Sequence, residues 1–192
     1  MYDVMEQDTR LTSQFIYFRK DQARVSSQWK TGERFQTPLA PLTLIAEDEV
    51  PSALSDMLLV KNRLHIYSPK MREVLASIGV SNIEYQPITL IDKKRGVTWE
   101  DYRAANIIGK VACLDVDNSE VKSFADGAGY RVVDEFRLLE DQIKPLPGMK
   151  EPPRLFRLAE FIYHVIAHES VKEAFAREGV TGVLFTPTQE YC

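Results

Sequence analysis

The residues with the clearest capacity for chemistry lie in VACLDVDNSE at 111–120. The carboxylates Asp115 and Asp117, two apart at the end of an apolar strand, could share acid/base or metal-binding work. A buried strand ending in a polar turn accounts for the same residues, because a short motif outside its structural context is weak. His164 and His168 stand four apart beside Glu169, but the spacing is not His-Glu-x-x-His and no third zinc ligand is announced. A hydrogen-bonded structural pair is the plainer reading. Cys113 sits in an apolar run, a place for core rather than for a nucleophile, and no Gly-x-Ser-x-Gly elbow accompanies it. The Gly127-Ala128-Gly129 turn lacks the following helix that a phosphate-binding loop requires. These residues predict no catalytic group, no metal and no cofactor.

The acidic residues offer a different chemistry. Glu47, Asp48 and Glu49, then Asp134 and Glu135, then Glu140 and Asp141, form short clusters in or beside expected loops. Charge runs usually solvate a face. Their functional use would be an acidic patch that docks a basic partner with a steered on-rate.

The totals narrow the classes. A net charge of −4 argues against a nucleic-acid partner, whose binding would rest on a basic face. The two cysteines, Cys113 in an apolar run and Cys192 at the last position, predict no structural disulfide and a reducing compartment. The first ten residues lack the basic flank and apolar stretch of a secretion signal, and no run is long enough for a membrane span. A cytoplasmic protein that engages neither nucleic acid nor membrane is expected.

The elements that must position these residues are dominated by a strand–helix–strand unit written twice, over 66–87 and 166–187. Ile66/Ile166, Glu73/Glu173, Ala76/Ala176, Gly79/Gly179, Val80/Val180 and Pro87/Pro187 are identical at an offset of 100, without a gap. In the first copy Ser68 is a good N-cap and Pro69 suits the first helical position. Met71, Val74, Leu75 and Ile78 recur at i, i+3, i+4 and i+7, the stripe of a core-facing helix. Gly79 stops the helix in the left-handed conformation, and Ile83 and Tyr85 form one face of the next strand. The second copy has Val171, Ala174 and Phe175 as its stripe and Gly179 as its stop, with His168 or Ser170 as cap.

Elsewhere, 2–8 and 13–20 read as short strands, and 21–43 as an irregular crossing segment anchored by Trp29 and Phe35. A short helix is expected in 52–60, a hairpin turn at 93–96, and a long strand over 97–116 bent near Gly109. Residues 121–138 read as strand, turn, strand, and the Pro-rich stretch at 145–153 as a surface loop. Residues 155–161 read as a strand or short helix. The fold class is α+β, mostly antiparallel β with the two strand–helix–strand units, in a single domain over 1–192.

The order of motifs adds a resemblance. Ser68 to Asn82, Asn106 to Asp115, Phe156 to Phe161 and Ser170 to Phe185 together resemble the eleventh numbered immunity-protein family of bacterial polymorphic toxin systems, first described as a domain of unknown function. The resemblance covers 60–187 and is best at the end, whereas 1–60 match poorly. It implies an α+β protein that protects a cell by binding and neutralising a cognate toxin, with no catalytic residues to carry over. The toxin is expected to be an intracellular enzyme such as a nuclease, and the acidic clusters are its candidate contacts. Asp115 and Asp117 on their own resemble the first motif of haloacid-dehalogenase-type phosphotransferases, which implies Asp115 as nucleophile, Asp117 as acid/base and Mg²⁺ between them. That motif closes the first strand of a doubly wound sheet and is followed by a Gly-Asp-x-x-x-Asp box, whereas here it lies past mid-chain, has no such box, and falls within a strand of the immunity family. A Mg²⁺-dependent phosphohydrolase and a toxin-loading adaptor or chaperone are the rival classes. The oligomeric state is not specified by the sequence.

Overall fold

The computed structural model describes residues 1–8, 28–36, 41–46, 53–60, 64–124 and 129–192. The expected strand at 13–20 and the Glu47–Asp48–Glu49 cluster lie outside the described residues. In chain order the elements begin with strands β1 (Tyr2–Gln7), β2 (Leu42–Ile45), β3 (Met57–Val60) and β4 (Leu64–Tyr67). Helix α1 (Pro69–Ser77) leads to β5 (Ile83–Asp92), β6 (Val97–Trp99), β7 (Arg103–Ile107), β8 (Lys110–Val111) and β9 (Leu114–Asp115). Then come β10 (Glu120–Ser123), β11 (Tyr130–Asp134), β12 (Arg137–Leu138), β13 (Leu155–Leu158) and β14 (Val165–His168). Helix α2 (Glu169–Glu178) and β15 (Val183–Pro187) close the order. The fold is α+β. No helix among the described residues is long and apolar enough to cross a membrane, which says nothing of a β-barrel.

The predicted capping chemistry is present in both copies. Ser68 is extended at ψ 166°, and its Oγ accepts from the Met71 N–H at 3.1 Å, with Pro69 opening α1. His168 caps α2 through Nδ1, which accepts from the Ser170 N–H at 3.2 Å. Gly79 and Gly179 take φ of 80° and 61°, where a Cβ would be strained. Behind each glycine the next residue closes the turn, Val80 N–H to Leu75 O at 3.0 Å and Val180 N–H to Phe175 O at 2.9 Å. Each helix end also receives a cation from the other half of the chain. Lys70 Nζ donates to the Gly179 carbonyl and Arg154 Nη1 to the Ile78 carbonyl, where the helix dipole favours positive charge.

The strands that flank each helix are not neighbours. β7 runs antiparallel between β4 and β5, and β1 runs antiparallel between β14 and β15. The register repeats at the same offset: Ala104 faces Ile66 and Gln86, and Val4 faces Ile166 and Thr186. The inserted strands are therefore equivalent too, and each lies in the sheet built around the other half's helix. Among the described residues two large sheets result, β2-β5-β7-β4-β3 with β6 beside β5, and β15-β1-β14-β13-β8, accompanied by the two-stranded pairs β10-β11 and β12-β9.

Between the sheets, Met71 and Leu75 of α1 and Val171 and Phe175 of α2 pack with Tyr67 and Leu155 in one core. The outer face of the first sheet is covered around Trp29, buried to 2% exposure and edge-on to Phe35 at 4.8 Å, the two anchors expected for that segment. The outer face of the second is covered around Phe136, with Cys113, Phe156 and Ile166. Arg157, buried on β13, ties these layers, donating to the Trp29 carbonyl at 3.1 Å and the Ile162 carbonyl at 3.0 Å. Burial pulls its guanidinium down to about 10.

Several expectations are corrected. Within 52–60 the residues Met57–Val60 form strand β3, not a helix, and Met57 and Leu58 are buried on opposite faces, one in each core cluster. The single long strand at 97–116 is four short ones, β6 to β9. Gly109, at φ 108°, is where the chain leaves the first sheet for the second, and a Cβ there would sit 2.2 Å from Leu146 Cδ1. The hairpin at 93–96 forms as expected. Asp92 Oδ1 accepts from the Lys94 and Arg95 N–H groups at 3.0 and 3.2 Å, and Gly96 takes φ 66°.

Candidate functional site

Each residue with catalytic potential has a local, structural explanation. Asp115 ends the two-residue strand β9, which pairs antiparallel with β12. Its carboxylate accepts from Asn118 Nδ2 at 2.9 Å, and Asp117 is exposed on the short helical turn that follows. This is not the parallel strand end on which an aspartyl phosphotransferase builds its metal site. His164 and His168 do not bond to each other. His164 Nε2 donates to the Val133 carbonyl at 2.8 Å, and its ring stacks on Phe136 at 5.3 Å. His168 serves as the cap of α2, and burial draws its pKa below 6.5. Cys113 is buried, and burial, then the Glu160 charge, pushes its thiol up to about 12, far from a reactive thiolate. Among the described residues no group of three or more His, Cys, Asp or Glu is placed to hold a metal ion.

The acidic residues that are described divide into two places. Asp134 ends β11 opposite Glu120. Glu135 is exposed at φ 38°, an uncommon conformation for a residue with a Cβ, and its N–H donates to the Tyr191 carbonyl at 2.6 Å. Glu140 and Asp141 are exposed on a helical turn at the other end of β1, where Glu140 lies 3.8 Å from the amino terminus. The two clusters are thus both at the surface but are not one patch built on one element.

A cavity of about 200 Å³, unforeseen in the sequence, opens at the Gln7 end of β1. Its origin is a difference in strand length. The pairing of β14 with β1 stops at Val4, whereas β15 accompanies β1 as far as Gln7. Beside Glu6 and Gln7 the chain instead places Tyr163 and His164, with His65 from β4 and Tyr191 from the carboxy-terminal turn. Tyr191 donates its hydroxyl to Glu6 Oε2 at 3.1 Å, and its ring meets His164 edge-on at 4.7 Å. His65 Nδ1 is 3.1 Å from the Tyr67 hydroxyl, whose proton burial retains. Gln7 is buried to 4% exposure, and its Oε1 has no hydrogen-bond partner among the described residues. The sequence signal for the cavity was slight. Glu6 and Gln7 are polar residues at the end of an otherwise core-forming strand.

The arrangement can hold and orient a polar group. No curated protein matches the chain. The match of the immunity protein family (Imm11) runs over residues 3–190 and so takes in the N-terminal part that matched poorly by motif; the chain belongs to the Imm11 immunity protein family.

Proposed function

We propose that this protein binds a cognate toxin and neutralises it by occupying it, without catalysis of its own. Membership of an immunity family over residues 3–190 carries the reading. The two sheets share one core through both helices, which supports their acting as a single domain. Two free cysteines, one buried and one exposed, fit a reducing cytoplasm. The toxin is an intracellular enzyme with a basic cleft, such as a nuclease, which the acidic clusters approach by electrostatic steering.

The test uses the toxin encoded beside this gene. Co-expression should protect cells, and the purified proteins should form a stoichiometric complex that abolishes toxin activity. Charge reversal to Lys at Glu47, Asp48 and Glu49, at Asp134 and Glu135, and at Glu140 and Asp141 should slow association most at low salt, where screening is least. Asp115→Asn with Asp117→Asn should leave protection intact. An unprotected cell, or Mg²⁺-dependent turnover abolished by Asp115→Asn, would overturn the reading. Association rates unaffected by every reversal would overturn acidic steering while leaving immunity in place.

A further inference from the structure

We propose that the cavity at the Gln7 end of β1 receives a lysine or arginine side chain of the toxin as the anchor of the complex. This rests on the toxin-binding reading above. At about 200 Å³ the cavity is several times the volume of one water, roughly 30 Å³ in the liquid, so it has room for a side-chain end. Its chemistry is that of an acceptor. Among the described residues that line it Glu6 is the one formally charged, and none is a lysine or arginine. Tyr191 occupies Glu6 Oε2, which leaves Oε1 for a second donor. Gln7 brings a buried carboxamide oxygen without a partner among the described residues, a group that a donor would satisfy.

The walls favour a cation over a neutral donor. Tyr163 stands at the mouth, 43% exposed, and its ring already holds the Lys30 ammonium 5.6 Å from its centroid. Glu135 hangs from the Tyr191 carbonyl, so the acidic pair Asp134–Glu135 borders the same corner. The other half of the chain supplies a comparison. The residue equivalent to Glu6 in the first sheet is Asn106, by the registers with Leu184 and Glu84. There Asn106 Nδ2 donates to the Glu33 carbonyl at 2.8 Å, so the chain brings its own backbone as the occupant. In the second sheet a carboxylate replaces that amide; it can only accept, Tyr191 fills Oε2, and the described residues supply no donor for Oε1.

Two measurements test this. The full-length protein is titrated with butylammonium and methylguanidinium chloride, and with neutral butyramide, while NMR follows the Gln7 side-chain amide and the Tyr163 ring. Both cations should shift these signals, butyramide should not, and Glu6→Gln should abolish the response. Shifts that are absent, or equal for butyramide, overturn the proposal. In the second measurement Glu6→Gln and Tyr163→Ala should each weaken binding of the toxin encoded beside this gene by about ten-fold, with melting temperature unchanged. Wild-type protein that binds cations but not that toxin would refute the immunity reading alone. Wild-type protein that binds the toxin while both variants bind equally well would refute the anchor alone.

Discussion

Three glycines with positive φ allow backbone strain to be separated from steric collision. Gly79 and Gly179 end the helices at φ 80° and 61°, and Gly182 precedes β15 at φ 80°. An added Cβ at Gly79 meets nothing within 4 Å, and at Gly179 only the flexible Lys70 Nζ at 3.7 Å. At Gly182 it would lie 2.6 Å from Ser55 Cβ and 2.7 Å from the Met57 carbonyl oxygen. That carbonyl belongs to a strand whose first N–H is itself bonded to the Thr181 carbonyl at 3.2 Å, so the backbone has little room to retreat. Gly79→Ala and Gly179→Ala should each cost about 1 kcal/mol, the penalty of a left-handed L-residue. Gly182→Ala adds overpacking against backbone and should cost about 3 kcal/mol. In thermal unfolding each kcal/mol corresponds to about 2–4 °C for a chain of this size. The helix-end variants should therefore melt a few degrees low and Gly182→Ala about 10 °C low. Urea titrations would give the free energies directly. Equal losses at Gly79 and Gly182, or no loss at Gly182, would refute the geometric argument.

Ser68→Ala removes both the acceptor for the Met71 N–H and the hydroxyl that donates to Asp56 Oδ1 at 2.6 Å; a loss of about 1–2 kcal/mol by urea denaturation is expected. His168 has its folded-state pKa lowered from 6.5, first by burial and then by the amino-terminal charge. The folded state therefore holds that proton less well than the unfolded chain, and the group's stabilisation is present above pH 6.5 and is lost as pH falls below it. His168→Asn, which keeps a cap acceptor without titrating, should flatten that part of the melting-temperature profile, and an unchanged slope would contradict it. Native protein should react with a thiol reagent at Cys192 alone, Cys113 joining only after denaturation, because burial holds its thiol near a pKa of about 12. Two fast thiols in the native protein would show that Cys113 is accessible.

The parts of the molecule legible in the sequence were those held by short-range chemistry. Ser68, Pro69 and Gly79 write a helix start and stop through contacts made within a few residues, so residue type and spacing suffice to locate α1 and, through Val171, Phe175 and Gly179, α2. The hairpin at 93–96 was legible for the same reason, and the ordered motifs of 60–187 carried the family resemblance, which the match over 3–190 extends. The helix expected in 52–60 was an error of the same origin. A short apolar run has no period that distinguishes helix from strand, and pairing with β4 decided the matter.

What the tertiary structure alone decided is which strands meet. The sequence shows two like units, but not that β7 would enter the first and β1 the second. Tyr2 and Tyr102 share the offset, yet Val4–Met5 and Ala104–Ala105 share only apolar character. Strand pairing joins residues remote in sequence through backbone hydrogen bonds that any side chain permits, so it leaves little trace in residue type. The cavity follows from that pairing. Glu6 and Gln7 became its lining because β14 stops short of them while β15 does not, and a difference in where two strands end is written in neither strand by itself.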